Sequence, residues 1–485
     1  MNGLEVAWYS MVALACLMSV ADWRKGIYVG ILIDVLRDPV RKLLPEQPVL
    51  ITLSGAIVWG VIVFAAVSSQ QGSLRELYRQ YPRLKQAMLL LALAIIPAAG
   101  LTTISYSRGW LVALIGASSY VLPAIGVLAG YAFLRGEAQV KRLLRWYIIV
   151  NMIMLVSVPM EYLEWNIPAL GGIEYDWIRY RTGYIVDLMC GWYRSPDIMG
   201  LHAAHVIMFS LLLAIRSRTE SQLLWLGPVL FAGFCVLVSG RRKMIGVPLV
   251  FLTAYVGIGM FLGMRRLNRL AGYSLMTALT GAAIAVIFWD PSQSSEYTDF
   301  ASSLFTEGAS RSNEVIVGST IGTLQQLGIL GAGLGTATQG RYYVWKPREG
   351  PRTWQEDGVS RLFVEFGVPG VLLLCIAFVL VLTAMLRALR SCRPQSNEQL
   401  LQVGLISVVI GDAASFAISH QQFSGDPVSG LLVTLLVGMV LRFSRLAPAF
   451  HLMPVRSLNS ESAAPKLTDV LGLQELQDSV TKRSG

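Results

Sequence analysis

Apolar residues in this chain fall in blocks of about twenty separated by short polar and basic runs, not in the short periodic stripes of a water-soluble core. A helix of that length crosses roughly 30 Å of hydrocarbon, whereas a closed strand barrel would show segments of about ten alternating residues. The pattern predicts spans near 4–20, 48–68, 86–106, 109–134, 142–160, 198–215, 222–239, 243–264, 271–289, 367–386, 399–418 and 428–443. Residues 1–446 are therefore expected to form an all-α polytopic membrane protein of about twelve transmembrane helices, and the polar residues 447–485 a poorly ordered cytoplasmic tail.

Orientation follows from the basic runs. With both termini in the cytoplasm, the loops holding Arg75 and Lys85, Arg135 and Arg145, Arg216 and Arg218, Arg265 and Arg269, and Arg387 and Arg393 all become internal, as the positive-inside rule requires. One segment resists. Residues 22–46 would be external yet carry Arg24, Lys25, Arg37, Arg41 and Lys42 beside an apolar stretch, and are read as lying at the interface or dipping in and returning. Two external segments, 161–197 and 290–366, exceed the roughly fifteen residues of an ordinary connection. The second forms the main external loop. Both are rich in aromatics, which pack small domains or stack on the apolar faces of sugar rings, and which also populate membrane interfaces.

Composition adds exclusions. With 54% of 485 residues hydrophobic and 14% charged, the solvent for most of the protein is lipid. The first apolar block has no basic leader or small-residue cleavage site and is read as a retained span. Five scattered cysteines give neither a disulfide framework nor a metal knuckle. The net charge of +10 lies mostly in loops beside spans, so topology and anionic lipid account for it without nucleic acid. No internal repeat or nucleotide-binding glycine loop is present.

The most informative stretch is Ser239-Gly240-Arg241-Arg242-Lys243-Met244, three cations in an external turn between two spans. Charge on that face needs a partner, and paired guanidinium forks match the oxygens of a diphosphate; an anchor to lipid phosphate is the competing explanation. Arg194 and Arg311 are further external cations, and several converging arginines would stabilise a departing diphosphate. Arg179 and Arg181 fit surface pairing with nearby carboxylates better. Glu356 and Asp357, adjacent just before a span, are candidates to take a proton from an acceptor hydroxyl, although most loop carboxylates are merely solvated. Glu365 could equally serve the N-terminus of that span. His202 and His205 share one helical face with metal-compatible spacing but lack an evident third ligand, which favours ordinary hydrogen bonding. Asp412, an intramembrane carboxylate, is the feature on which a transporter reading leans.

Taken in order, VLVSGRRKMIGVPLVFL, Arg311, GILGAGLGTATQG and Glu365-Phe366-Gly367-Val368-Pro369-Gly370 resemble the O-antigen ligase and polysaccharide polymerase superfamily of membrane glycosyltransferases. The resemblance covers roughly residues 190–385 and departs from the family where Glu356 and Asp357 stand in place of its usual His-Asn. It implies a GT-C-type fold in the bacterial inner membrane with an active site facing the periplasm. The implied donor is a polyprenyl-diphosphate-linked glycan, and the acceptor is a glycan hydroxyl. Arg241, Arg242, Arg311 and Arg194 would bind the diphosphate, and Glu356 or Asp357 would act as base. No metal and no cofactor are expected. The missing histidine favours a polymerase of polysaccharide repeats, with a chain-length regulator as possible partner, over a ligase acting on lipid A core or protein. A transporter or flippase is the alternative from another class.

Overall fold

The computed structural model describes residues 3–48, 50–173, 177–181, 184–216, 219–264, 307, 310, 313–345, 350–351, 355–420, 423 and 427–446. The first half holds α1 (Gly3–Ala21), α2 (Trp23–Leu43), α3 (Leu50–Ser69), α4 (Gln71–Gln80), α5 (Pro82–Ser105), α6 (Gly109–Phe133), α7 (Glu137–Leu155) and α8 (Ser157–Tyr162). A two-stranded antiparallel hairpin follows, β1 (Ile178–Arg181) with β2 (Tyr184–Asp187), then α9 (Pro196–Arg216), α10 (Thr219–Val238) and α11 (Arg242–Phe261). The last part holds α12 (Ser319–Leu327), α13 (Gly358–Arg390), α14 (Asn397–Ile418) and α15 (Pro427–Leu446).

Among the described residues nine helices are long and apolar enough to cross a membrane, and α10 and α15 carry shorter apolar runs, Leu224–Val238 and Val428–Ser444. Among the described residues the chain is predominantly helical, with the architecture of a multi-pass membrane protein. Predicted span 271–289 and the tail 447–485 lie outside the described residues.

Residues 22–46 correct the expected topology. Trp23–Leu43 form one continuous helix, α2, whose ends touch opposite ends of the bundle. At its start Arg24 donates to Ala132 O at the end of α6 (2.9 Å), and Trp146 in the middle of α7 donates to Tyr28 O (2.9 Å). At its end Lys42 Nζ donates to Gly191 O (2.8 Å), Tyr193 O (2.7 Å) and Gly171 O, all in the loop before α9. Twenty-one residues at about 1.5 Å each give the required ~30 Å. We call the end bearing Arg24 lower and that bearing Lys42 upper.

With α2 as a crossing, Arg24 and Lys25 join the other basic loops at the lower end, in keeping with the positive-inside pattern, while Arg37, Arg41 and Lys42 lie toward the upper end. The helix escapes hydropathy because its upper half is charged. Asp34, Arg37, Asp38 and Arg41 are all buried, and Arg37 bridges Asp34 at 2.9 Å and Asp38 at 3.8 Å. Such charges are tolerated in a membrane protein when paired and turned toward the interior. The extra crossing also sets α1 parallel to α3, with Trp8 donating to Ser54 near the starts of both (2.9 Å). The first residues of α1 and the last of α15 therefore lie at opposite ends, not on one face as expected.

Close backbone approach shapes the rest. A Cβ added at Gly130 or Gly438 would collide with backbone atoms of the facing helix, so α6 and α15 meet through small residues, as membrane helices do. The phrase Gly331-Ala332-Gly333-Leu334-Gly335 inserts between α5, α6 and α13. Ala332 N donates to Val364 O (2.7 Å), and Leu334 N to Ala98 O (3.0 Å). In α13 the backbone breaks at Gly367, whose φ of 62° is left-handed and whose missing Cβ would sit 2.5 Å from Ile329 O. Gly367→Ala is expected to cost about 3 kcal/mol, seen as a lower thermal midpoint in detergent.

Lys42 ties α2 to the long segment between α8 and α9, on both sides of the hairpin. Lys42→Met strands three carbonyls and is expected to cost about 2 kcal/mol and to speed protease cleavage within 161–197. An unchanged cleavage rate would dismiss that anchoring role.

Candidate functional site

The basic turn lies at the upper end, between α10 and α11. Gly240 takes a left-handed φ of 56°, which turns the chain sharply and sets Arg241, Arg242 and Lys243 at the start of α11. The hairpin covers this turn: Met189 N donates to Val238 O (3.1 Å), and the Trp177 ring lies 5.4 Å from the Arg241 guanidinium. The long loop is itself held, since the Glu161 carboxylate accepts from Cys190 N (2.9 Å) and Gly191 N, and Ser157 Oγ accepts from Trp192 N (2.8 Å).

Two of the three cations share a buried carboxylate. Arg241 Nη2 lies 3.0 Å from Asp197 Oδ2, and Lys243 Nζ lies 2.6 Å from Asp197 Oδ1. Asp197 stands in the first turn of α9 and is 4% exposed. Two cations thus share one buried carboxylate, and among the described residues Arg241 Nε is buried without a hydrogen-bond partner. Arg179 of β1 lies close enough to act on the Asp197 charge. Arg242 turns aside to an ion pair with Glu307 at 2.8 Å.

Lys243 extends the group toward α13 and α14. Its Nζ lies 2.6 Å from Ser419 Oγ, and it feels the charge of Glu356, an exposed residue. The Glu356 carbonyl accepts from His420 N at 3.2 Å. The fold thus brings Arg241, Lys243, Asp197, Glu356, Ser419 and His420 to one place from four separated stretches of chain.

Burial, followed by the charges of Arg361 and Lys243, pushes the His420 imidazole down to about 3, so the ring is neutral near pH 7. Its Nε2 carries the hydrogen, because it faces Gln355 O (2.9 Å), which only accepts.

The other sequence candidates occupy different positions. Asp357 is completely buried and caps α13, accepting from Ser360 N at 2.7 Å, whereas Glu356 is exposed. Arg194 ends the covering loop, where its backbone N–H donates to Asp38 Oδ2 (3.2 Å). Arg311 lies outside the described residues. Glu365 does not serve the helix N-terminus. It is buried beneath the glycine-rich loop, accepting from Tyr120 (2.5 Å) and Thr338 (3.0 Å) and pairing with Arg361 (3.4 Å).

Sequence reasoning missed Asp197, the Lys243 contacts, Arg179 and His420 as members of the group. Pairing between helices distant in sequence leaves no local spacing to find. Only the charge excess of the turn announced that counter-ions had to come from elsewhere. Compared with known proteins, the chain matches no protein-family model and no curated protein sequence.

Proposed function

We propose that this protein is a membrane glycosyltransferase of the polysaccharide polymerase type, moving a polyprenyl-diphosphate-linked glycan to an acceptor hydroxyl at the upper, periplasmic end of the bundle. The observation that carries the reading is the pair of cations Arg241 and Lys243 gathered on one buried carboxylate, beneath an aromatic cover and beside an exposed carboxylate. A diphosphate drawn to this group would gain charge-assisted hydrogen bonds as its negative charge grows on leaving. In this reading Glu356 takes the acceptor proton, and Arg242, Arg194 and Arg311 are the further phosphate contacts that the sequence suggests. The exposed Tyr342 and Tyr343 and the aromatic loop offer faces for sugar rings. No metal and no cofactor enter the scheme.

A ligase acting on lipid A core or protein would use the same chemistry with a different acceptor. The transporter reading draws support from a different observation, the buried charges of α2 and Asp412.

Glu356→Gln separates these readings. A transferase that loses its base should accumulate lipid-linked repeats on the outer leaflet while polymer disappears from gels of extracted polysaccharide. Lipid-linked repeats held on the inner leaflet would indicate transport instead, and polymer of normal length would discard Glu356 as the base.

A further inference from the structure

A second polar region lies within the bundle, apart from the basic turn. His205 Nε2 on α9 meets both carboxylate oxygens of Asp412 on α14, at 2.9 and 3.1 Å. Tyr147 Oη on α7 bridges His202 Nδ1 at 2.7 Å and His205 Nδ1 at 3.2 Å. Beside these groups is a small cavity with room for about one water molecule, and its walls include Asp34 of α2, Trp59 of α3, His202 of α9 and Ser429 of α15. Trp59 is 1% exposed and Ser429 5%, and among the described residues neither Trp59 Nε1 nor Ser429 Oγ has a hydrogen-bond partner in the protein. A buried polar group without a partner costs free energy, and folded interiors keep few of them. Here two of them border the same small space.

We propose that this cavity is a structural water site, in which one bound water joins Trp59 of α3 to Ser429 of α15 inside the bundle. Donor and acceptor chemistry selects the occupant. An indole N–H only donates, so the group that meets it must accept, which a metal cation or an ammonium group does not do. A small anion would accept from both the indole and the hydroxyl, but it would sit against the Asp34 carboxylate on the same wall. An apolar occupant satisfies neither. A water accepts from Trp59, exchanges a hydrogen bond with Ser429, and keeps a hydrogen for the Asp34 carboxylate, whose oxygens each accept more than one bond. Three polar partners is the usual number for a buried water.

Packing sets the indole in place. A Cβ added at Gly30 of α2 would meet Trp59 Cε2 at 3.2 Å, and Nε1 is bonded to that carbon, so the N–H end of the ring lies against α2. Asp34 is one helical turn further along the same face of α2. The water therefore stands where α2, α3 and α15 meet, and it supplies a polar joint between the first helices of the chain and the last.

The test uses the full chain in lipid nanodiscs and short X-ray pulses, which convert bound water to hydroxyl radicals that oxidise the side chains beside it. Trp8 is the internal reference, because it is 2% exposed and its Nε1 is already bonded to Ser54 Oγ at 2.9 Å. Trp59 should be oxidised about tenfold faster than Trp8, since burial protects both from bulk solvent and only Trp59 borders a bound water. Equal rates would overturn the site. This readout needs no variant. The thermal midpoint of Ser429→Ala gives a second one, of opposite sign in the two cases. With a water bound, the change removes a hydrogen bond that is made and lowers the midpoint; in a dry cavity it removes an unsatisfied hydroxyl and raises it. A midpoint that is unchanged or raised would equally overturn the proposal. Neither measurement depends on glycan transfer.

Discussion

Replacing Arg241 and Lys243 together with alanine is expected to lower glycan transfer by at least about 10³-fold, since removal of a single preorganised donor commonly costs 10²–10³. Both cations reach Asp197, so the double change also leaves that carboxylate buried without its two ion-pair partners, a loss of about 3 kcal/mol in fold stability. The two effects separate when Asp197→Asn is added. The triple variant should recover its thermal midpoint and still make no polymer, because the asparagine no longer needs counter-ions whereas the diphosphate still does. Arg241→Lys should fall between, at about tenfold, since lysine keeps the charge but lacks the planar fork. Polymer returning in the triple variant would reduce Arg241 and Lys243 to partners of Asp197.

Acid should loosen the site end of the bundle through His420. The folded ring titrates at about 3 against 6.5 for a free imidazole, so between those values the unfolded chain binds the extra proton and stability falls as pH drops. Above about pH 6.5 the ring is neutral in both states and contributes no pH dependence. At about 1.4 kcal/mol per pH unit the loss approaches roughly 5 kcal/mol near pH 3 and is about half that at pH 4.5. Thermal midpoints measured at pH 7 and pH 4.5 should differ more for the parent than for His420→Gln, which keeps a donor for Gln355 O but does not titrate. Equal differences would show that the acid sensitivity arises elsewhere.

Much of the fold was legible because lipid makes simple demands. Blocks of about twenty apolar residues locate α1, α3, α5, α6, α7, α9, α11, α13 and α14, and the alternating basic loops order them. The failure at α2 has a physical cause. Hydropathy averages each residue as if it faced lipid, yet Asp34 and Arg37 face each other one turn apart and neutralise their charge inside the bundle. The i,i+3 acid–base spacing in Ile33-Asp34-Val35-Leu36-Arg37 was the available signal. The glycine-rich phrase was legible as a motif but not as an insertion between helices, because its function depends on which backbone lies opposite. Of the site, the Arg241–Lys243 turn could be read from charge alone. Asp197 and His420 could not, since each acts through contacts made only when distant helices meet. Asp357 read as half of an acidic pair, and its burial over Ser360 N distinguishes it from Glu356.

The account stands on a diphosphate-binding group at the start of α11. Equilibrium binding of a short-chain polyprenyl diphosphate to the nanodisc-embedded protein, with the matching monophosphate and alcohol as controls, tests it most directly. The diphosphate should bind saturably and at least about tenfold more tightly than the alcohol, and Arg241→Ala should erase that difference. Equal binding of diphosphate and alcohol, or an Arg241→Ala variant indistinguishable from the parent, would contradict the account.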